Sequence, residues 1–231
     1  MSKLSREAYL VFALQLIPCA LMPVAGWAQA TAPTANAASS PEQAQRTPAG
    51  KFIQDLGNNA LGVIKDKSLT QTQRSEKYDN LLRSAFDLKT IGHFVVGRAW
   101  DAATPEQRQE YMQLFEKLVV KTYGDRMKFY SGESFRVTSV RSESEKDFMV
   151  SSEIVHLGGQ QPTRVDWRVR QDNGKLAIID VIVDGVSQSV TQRQEYASII
   201  ERDNGKLDKL LTDMRQRLQG QGTQPENSNP Q

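Results

Sequence analysis

The sequence predicts an α+β domain in which helices pack on one face of a curved antiparallel sheet. Three observations predict it. Apolar residues recur three and four apart from Phe52 through Met127, the mark of amphipathic helices. From Phe135 to Val183 the period falls to two, the mark of strands. Between two of those strands stands Asn173-Gly174, the pair a tight antiparallel hairpin needs.

The first helical stretch carries Phe52, Leu56, Ala60, Val63 and Ile64 on one face. A second starts at Thr70 to Thr72 and carries Tyr78, Leu81, Leu82 and Phe86. Asp87 can cap a short helix bearing Ile91, Phe94 and Val95, and Gly97 can end it. The best-marked helix opens at Thr104-Pro105-Glu106-Gln107. It has a capping hydroxyl, a proline at the first helical position and a glutamine three residues after the cap. Tyr111, Leu114, Phe115, Leu118, Val119 and Met127 then predict one long buried face.

Among the strands, Phe148, Val150 and Ile154 share one face, and the strand ends at Gly158-Gly159. In the next, Val165, Trp167 and Val169 lie opposite Arg164, Asp166, Arg168 and Arg170, so one face is covered and one is wet. Leu176 to Val183 is apolar on both faces apart from Asp180, which predicts a central strand covered on both sides. Two closing helices follow around Tyr196, Ile199, Ile200 and around Leu207, Leu210, Leu211, Met214.

Residues 1–30 read as a cleaved export signal. Lys3 and Arg6 precede an apolar run from Ala8 to Met22, and the small-residue site Ala28-Gln29-Ala30 follows. The run is interrupted by Gln15 and Pro18 and is shorter than the roughly 20 residues a bilayer span needs. Residues 31–48 lack large apolar side chains and read as a flexible linker, residues 49–219 as one domain, and residues 220–231 as a disordered tail.

Cys19, the only cysteine, leaves with the signal, so disulfides, thiolate nucleophiles and cysteine metal ligands are excluded from the mature chain. The 29 basic and 27 acidic side chains nearly balance, which gives no electrostatic case for nucleic acid. There is no phosphate-cradling glycine loop and no paired-histidine metal motif. His93 and His156, the two histidines, read as ordinary ones. Ser187 and Asp184 lie close in sequence without a base to complete a triad, and no cofactor is implied.

Several stretches resemble one family. They are Phe86-Asp87 with Ile91, Gly97-Arg98-Ala99-Trp100, Ala103-Thr104-Pro105-Glu106-Gln107-Arg108, and Thr122-Tyr123. A second set is Val165-Asp166-Trp167-Arg168-Val169 and Asp180 through Ser187, then Arg193 and Tyr196. Together they resemble the MlaC, or toluene-tolerance auxiliary, family of periplasmic phospholipid-binding proteins. The hopanoid-associated HpnM branch is similar through Gly185-Val186-Ser187-Gln188 and Arg193 to Ser198. One departure is Leu176-Ala177 after Gly174-Lys175, where the family commonly has an aromatic.

The resemblance implies a soluble periplasmic carrier of phospholipid or hopanoid. It would hold lipid tails in an apolar cavity between sheet and helices and exchange them with membrane-bound transport proteins of the inner and outer membranes, as part of an ABC-type system. The need is physical. At about 0.8 kcal/mol per methylene, exposing one sixteen-carbon chain to water costs on the order of 12 kcal/mol. Candidate tail contacts are Phe94, Phe115, Val119 and Tyr123 on helices and Phe148, Val150, Ile154, Val165, Trp167 and Val169 on strands; each also suits a packed core. Asp180, with Arg98 or Arg193 as its cation, is a candidate structural or headgroup network. The rival classes are a scaffold that binds no lipid and an enzyme with Asp180 or Asp184 as base in an apolar pocket.

Overall fold

The computed structural model describes residues 39–126 and 132–220. The expected export signal, Met127 and the expected tail beyond Gly220 lie outside the described residues. Six helices precede the sheet: α1 (Pro41–Arg46), α2 (Pro48–Lys65), α3 (Gln71–Ala85), α4 (Leu88–Val96), α5 (Ala99–Ala102) and α6 (Pro105–Arg126). Five strands follow, β1 (Ser134–Ser142), β2 (Asp147–Val155), β3 (Thr163–Asp172), β4 (Lys175–Val183) and β5 (Val186–Ser187), then α7 (Gln188–Glu201) and α8 (Asp208–Leu218).

Helix starts follow their capping residues. Thr70 and Gln73 form a reciprocal box at α3, and Thr104 and Gln107 form another at α6. The Asp87 carboxylate accepts from Thr90 N at 2.9 Å to open α4. α6 departs from the single buried face expected of it. Tyr111 and Phe115 face α4 and the C-terminal helices, whereas Val120 packs with Tyr78 and Leu82 of α3.

The sheet is an antiparallel meander in the order β1-β2-β3-β4-β5. Asn173 and Gly174 take φ of 48° and 77° and close the β3–β4 hairpin. Asp184 and Gly185, with φ of 47° and 85°, close a second one between β4 and β5. β4 is therefore not central: only the two-residue β5 lies beyond it. Its free edge is met by the end of α3, where Phe86 bridges Ile178 and Asp87 N donates to Ile178 O. Its sequence reads as central because it is apolar on both faces apart from Asp180, and the structure buries Ile178 on one face and Asp180 on the other.

Register places Val140, Val150, Trp167 and Val181 in one cross-strand row, with Phe148, Val169 and Ile178 beside it. This inner face receives α1 and α2 through Ala44, Ala49 and Ile53. The opposite face carries the ion pairs Arg136–Glu153, Arg164–Asp166, Arg168–Glu143 and Arg170–Asp147. Such exposed pairs add little stability singly and keep that face wet.

The flexible lead expected through Pro48 is corrected for its last ten residues. Ser39 Oγ accepts from Val140 N at 2.9 Å, Ala44 is 0% exposed, and Gln45 and Gln54 bond the backbone of Val137. Small side chains let this segment lie close on β1, and polar ones satisfy the edge strand's unpaired backbone groups.

Candidate functional site

The inner face of the sheet is where the candidate site lies, because its apolar side chains are unevenly covered. Val150, Val169 and Ile178 are fully buried. Trp167 stands between buried Val165 and Val169 on β3, yet it is only half-buried, as is its partner Val181 on β4. Phe135, Ile154 and Val183 on the same face are also half-buried, as are Leu56 of α2 and Phe86 after α3, which pack against this cluster. Apolar surface left partly accessible on the helix-facing side of a sheet is a candidate contact surface for an apolar ligand.

Two features set the shape of this surface. Ser152, buried mid-sheet, accepts from Trp167 Nε1 at 2.8 Å and donates to Val165 O at 2.8 Å, so both polar groups are satisfied and the indole is held in one orientation. Phe135 meets the same indole edge-on at 6.3 Å between centroids. Its ring lies directly on α2 at Gly57, where an added Cβ would fall 2.2 Å from Phe135 Cδ1. Only a residue without a side chain permits that approach.

The ten candidate tail contacts separate. Trp167, Ile154 and Val165 lie on the inner face of the sheet, Val165 buried and the other two half-buried. Val150 and Val169 sit with Phe148 in the sheet's packed cluster. Phe115 and Val119 belong to a second cluster built by α4, α6, α7 and α8, centred on Tyr111, whose hydroxyl donates to Gly92 O at 2.9 Å. Burial raises the Tyr111 and Tyr196 phenols above their ordinary range, so neither ionises. The side chain of Tyr123 lies outside the described residues.

Phe94 is 41% exposed, with the Arg193 guanidinium 4.8 Å from its ring centroid. Its position in α4 points it out between α4 and α7 because Val95 and Val96 take the buried side. Leu56, Phe86, Phe135, Val181 and Val183 are half-buried apolar residues of this side that the strand and helix periods contained but did not single out. The signal for the last two was the apolar stretch after Asp180.

The network proposed around Asp180 is also corrected. Asp180 is 5% exposed and shares the outer face with Arg168, whose Nη1 lies 3.8 Å away. It accepts from Ser187 Oγ at 2.7 Å, Val181 N at 2.9 Å and Ser189 N at 3.1 Å. These bonds tie the start of α7 to β4. Arg193 instead donates to Phe94 O at 2.7 Å, and Arg98 is exposed at the start of α5. Asp184 accepts from Arg164 N at 3.1 Å. Asp180 thus lies on the face opposite the candidate site, and both candidate bases are held by partners.

Among the described residues no cluster of His, Cys, Asp and Glu could hold a metal ion, and no helix is long and apolar enough to cross a membrane. What the arrangement offers is a partly covered apolar face on the helix side of the sheet.

These features define a class of α+β chains with an open antiparallel meander whose inner apolar face is partly covered by helices. A solved structure of a phospholipid-binding protein from Ralstonia solanacearum in complex with a phospholipid shares this fold. The TM-score is 0.66 at 22% identity, over 76% of this chain and 99% of that one. The family model described as MlaC protein matches residues 54–216, and the chain belongs to that family. It is 23% identical over 186 residues to the intermembrane phospholipid transport system binding protein MlaC of Haemophilus influenzae, covering 79% of this chain and 84% of that one. It is 24% identical over 110 residues to the toluene tolerance protein ttg2D of Pseudomonas putida, covering 47% and 50%.

Proposed function

We propose that this protein is an exported periplasmic carrier of diacyl phospholipid, the soluble member of an ABC-type lipid transport system. One observation carries the reading: Trp167 and Val181 remain partly accessible mid-face on the covered side of the sheet, beside buried Val165, Val169 and Ile178. Membership of the MlaC family supports it, as do a relative named for intermembrane phospholipid transport and a structural neighbour holding a phospholipid.

In this reading residues 1–30 are removed on export and the carrier domain begins at Ser39. Acyl tails lie against Trp167, Phe135, Ile154 and Val181, from which water is expelled. Each tail methylene covered is worth about 0.8 kcal/mol, so two partly covered chains suffice for stable carriage. Delivery requires membrane-bound donor and acceptor proteins whose affinities bracket that of the carrier. The chemistry is binding and release, with no bond made or broken.

Organic extraction of protein purified from its native host, followed by mass spectrometry, tests this. Diacyl phospholipid is expected at about one molecule per chain. Extracts without lipid would reduce the protein to a scaffold, and extracts dominated by hopanoid would replace the ligand.

A further inference from the structure

We infer that the exposed face shared by α4 and α7 is a contact surface on which the protein rests against an anionic lipid bilayer. The inference goes beyond the carrier reading and stands on residues other than those of the sheet's inner face. Four large apolar side chains are exposed among the described residues, and three of them belong here: Phe94 of α4, Val186 of β5 and Val190 of α7. Val186 and Val190 flank the Ser187 cap at the start of α7, and Arg193 follows Val190 by three residues, on the same side of the helix. The Arg193 guanidinium lies over the Phe94 ring, and its Nη1 donates to Phe94 O at 2.7 Å. That contact joins the two elements in one surface. Gly97 makes room for the guanidinium, since a Cβ there would stand 3.1 Å from Arg193 Nη2. Arg98, the next residue, is exposed.

The face is basic because acids are missing from it. α4 contains no Asp or Glu. α7 contains two: Glu195, which is bound to Arg217, and Glu201 at its last position. Asp87, which caps α4, accepts from Thr90, and Asp184, two residues before Val186, accepts from Arg164 N. Asp101 of α5 follows Arg98 by three residues without pairing with it. Among the described residues neither Arg98 nor Arg193 has a carboxylate partner. In a chain of 29 basic and 27 acidic side chains, this is a local feature and not a general excess of positive charge.

Charge and size select the occupant. Two arginines complement an acidic surface, whereas an isologous pair of copies would bring two basic faces together. Three exposed apolar side chains fall far short of the roughly 20 to 30 residues a side that a stable protein interface uses. A bilayer needs no matching shape. Phe94 and the valines can enter the headgroup boundary while arginines at the same level meet lipid phosphates.

Co-sedimentation of the mature chain with vesicles tests this, using phosphatidylcholine alone or phosphatidylcholine and phosphatidylglycerol in equal parts. Wild type should bind the anionic vesicles about tenfold or more tightly than the neutral ones, and about 1 M salt should remove the difference. Arg98→Gln should weaken binding to the anionic vesicles about fivefold. Phe94→Ser and Val190→Ser should each weaken it roughly three- to tenfold. These side chains are exposed, so the variants should stay folded. Leu157→Ser, at the fourth exposed apolar residue, should change nothing. Equal binding to both vesicles, or a loss shared by Leu157→Ser, overturns the surface. So does wild type that ignores vesicles yet self-associates, or binds an acidic protein, through Phe94. Lipid extracted with a protein that binds no vesicle would overturn this surface and leave the carrier; vesicle binding by a protein that holds no lipid would do the reverse.

Discussion

Trp introduced at Val169 and at Val181 should have opposite consequences, because the two valines share a face but not an environment. Val169 is 0% exposed, paired with Phe148 on one side and Ile178 on the other. A larger ring there must displace packed neighbours, which costs about 1 to 3 kcal/mol. For a chain of this size each kcal/mol moves Tm by about 2 to 4 °C, so delipidated Val169→Trp should melt roughly 2 to 12 °C low. Val181 is half-buried beside Trp167, and the added ring can extend over the partly accessible face. Delipidated Val181→Trp should lose less than about 1 kcal/mol. Lipid at a hundred times its Kd adds about 2.7 kcal/mol to wild type, and Val181→Trp should forfeit most of that gain. Calorimetry of both variants, stripped and reloaded, reads all four values. A Val181→Trp protein that melts low when stripped yet gains fully from lipid would show that the space beside Trp167 is packed core.

Further consequences concern the framework. Asp180→Ala removes the acceptor of Ser187 Oγ and the backbone N–H groups of Val181 and Ser189 and should cost about 2 to 4 kcal/mol in urea unfolding, with Asp180→Asn losing less. The hydrogen bond from Arg170 holds the Asp147 carboxyl below its usual range, so the folded state binds fewer protons than the unfolded one. That pair, discounted for exposure to about 1 kcal/mol or less, should stabilise fully above about pH 4 and fade as pH falls through the folded value. Asp147→Asn should therefore differ from wild type at neutral pH and converge with it in acid. Gly57→Ala should destabilise by about 1 to 3 kcal/mol by striking the Phe135 ring, and Phe135→Ala should relieve most of that cost in a double-mutant cycle.

Local features of the fold were legible and distant pairings were not. The caps at Thr70, Asp87 and Thr104 and the Asn173-Gly174 hairpin depend on residues within four positions, so their types declare them. Asp184-Gly185 carries the same local signal for a turn, and that turn returns the chain as β5. Asp180 announced itself as a buried carboxylate, but its partners come from β5 and α7, and a short hydroxyl and two N–H groups took the place expected for a cation. The sequence of α1 reads as a lead because Ala44 promises little burial by size, whereas its smallness is what lets the chain sit on the sheet edge. The candidate site divided along the same line: alternation put Val165, Trp167 and Val169 on one face, but which of them stays accessible depends on helices more than forty residues away in sequence.

The central claim is that acyl tails occupy the space over Trp167 and Val181, and photocrosslinking reads it most directly. Mature protein loaded with phosphatidylethanolamine bearing a diazirine midway along one acyl chain would be irradiated, digested and sequenced by mass spectrometry. The account predicts adducts on the β3 and β4 peptides that contain Trp167 and Val181, and on the peptide containing Phe135. Adducts confined to the exposed Phe94 and Val190 surface, with none on β3 or β4, would contradict it.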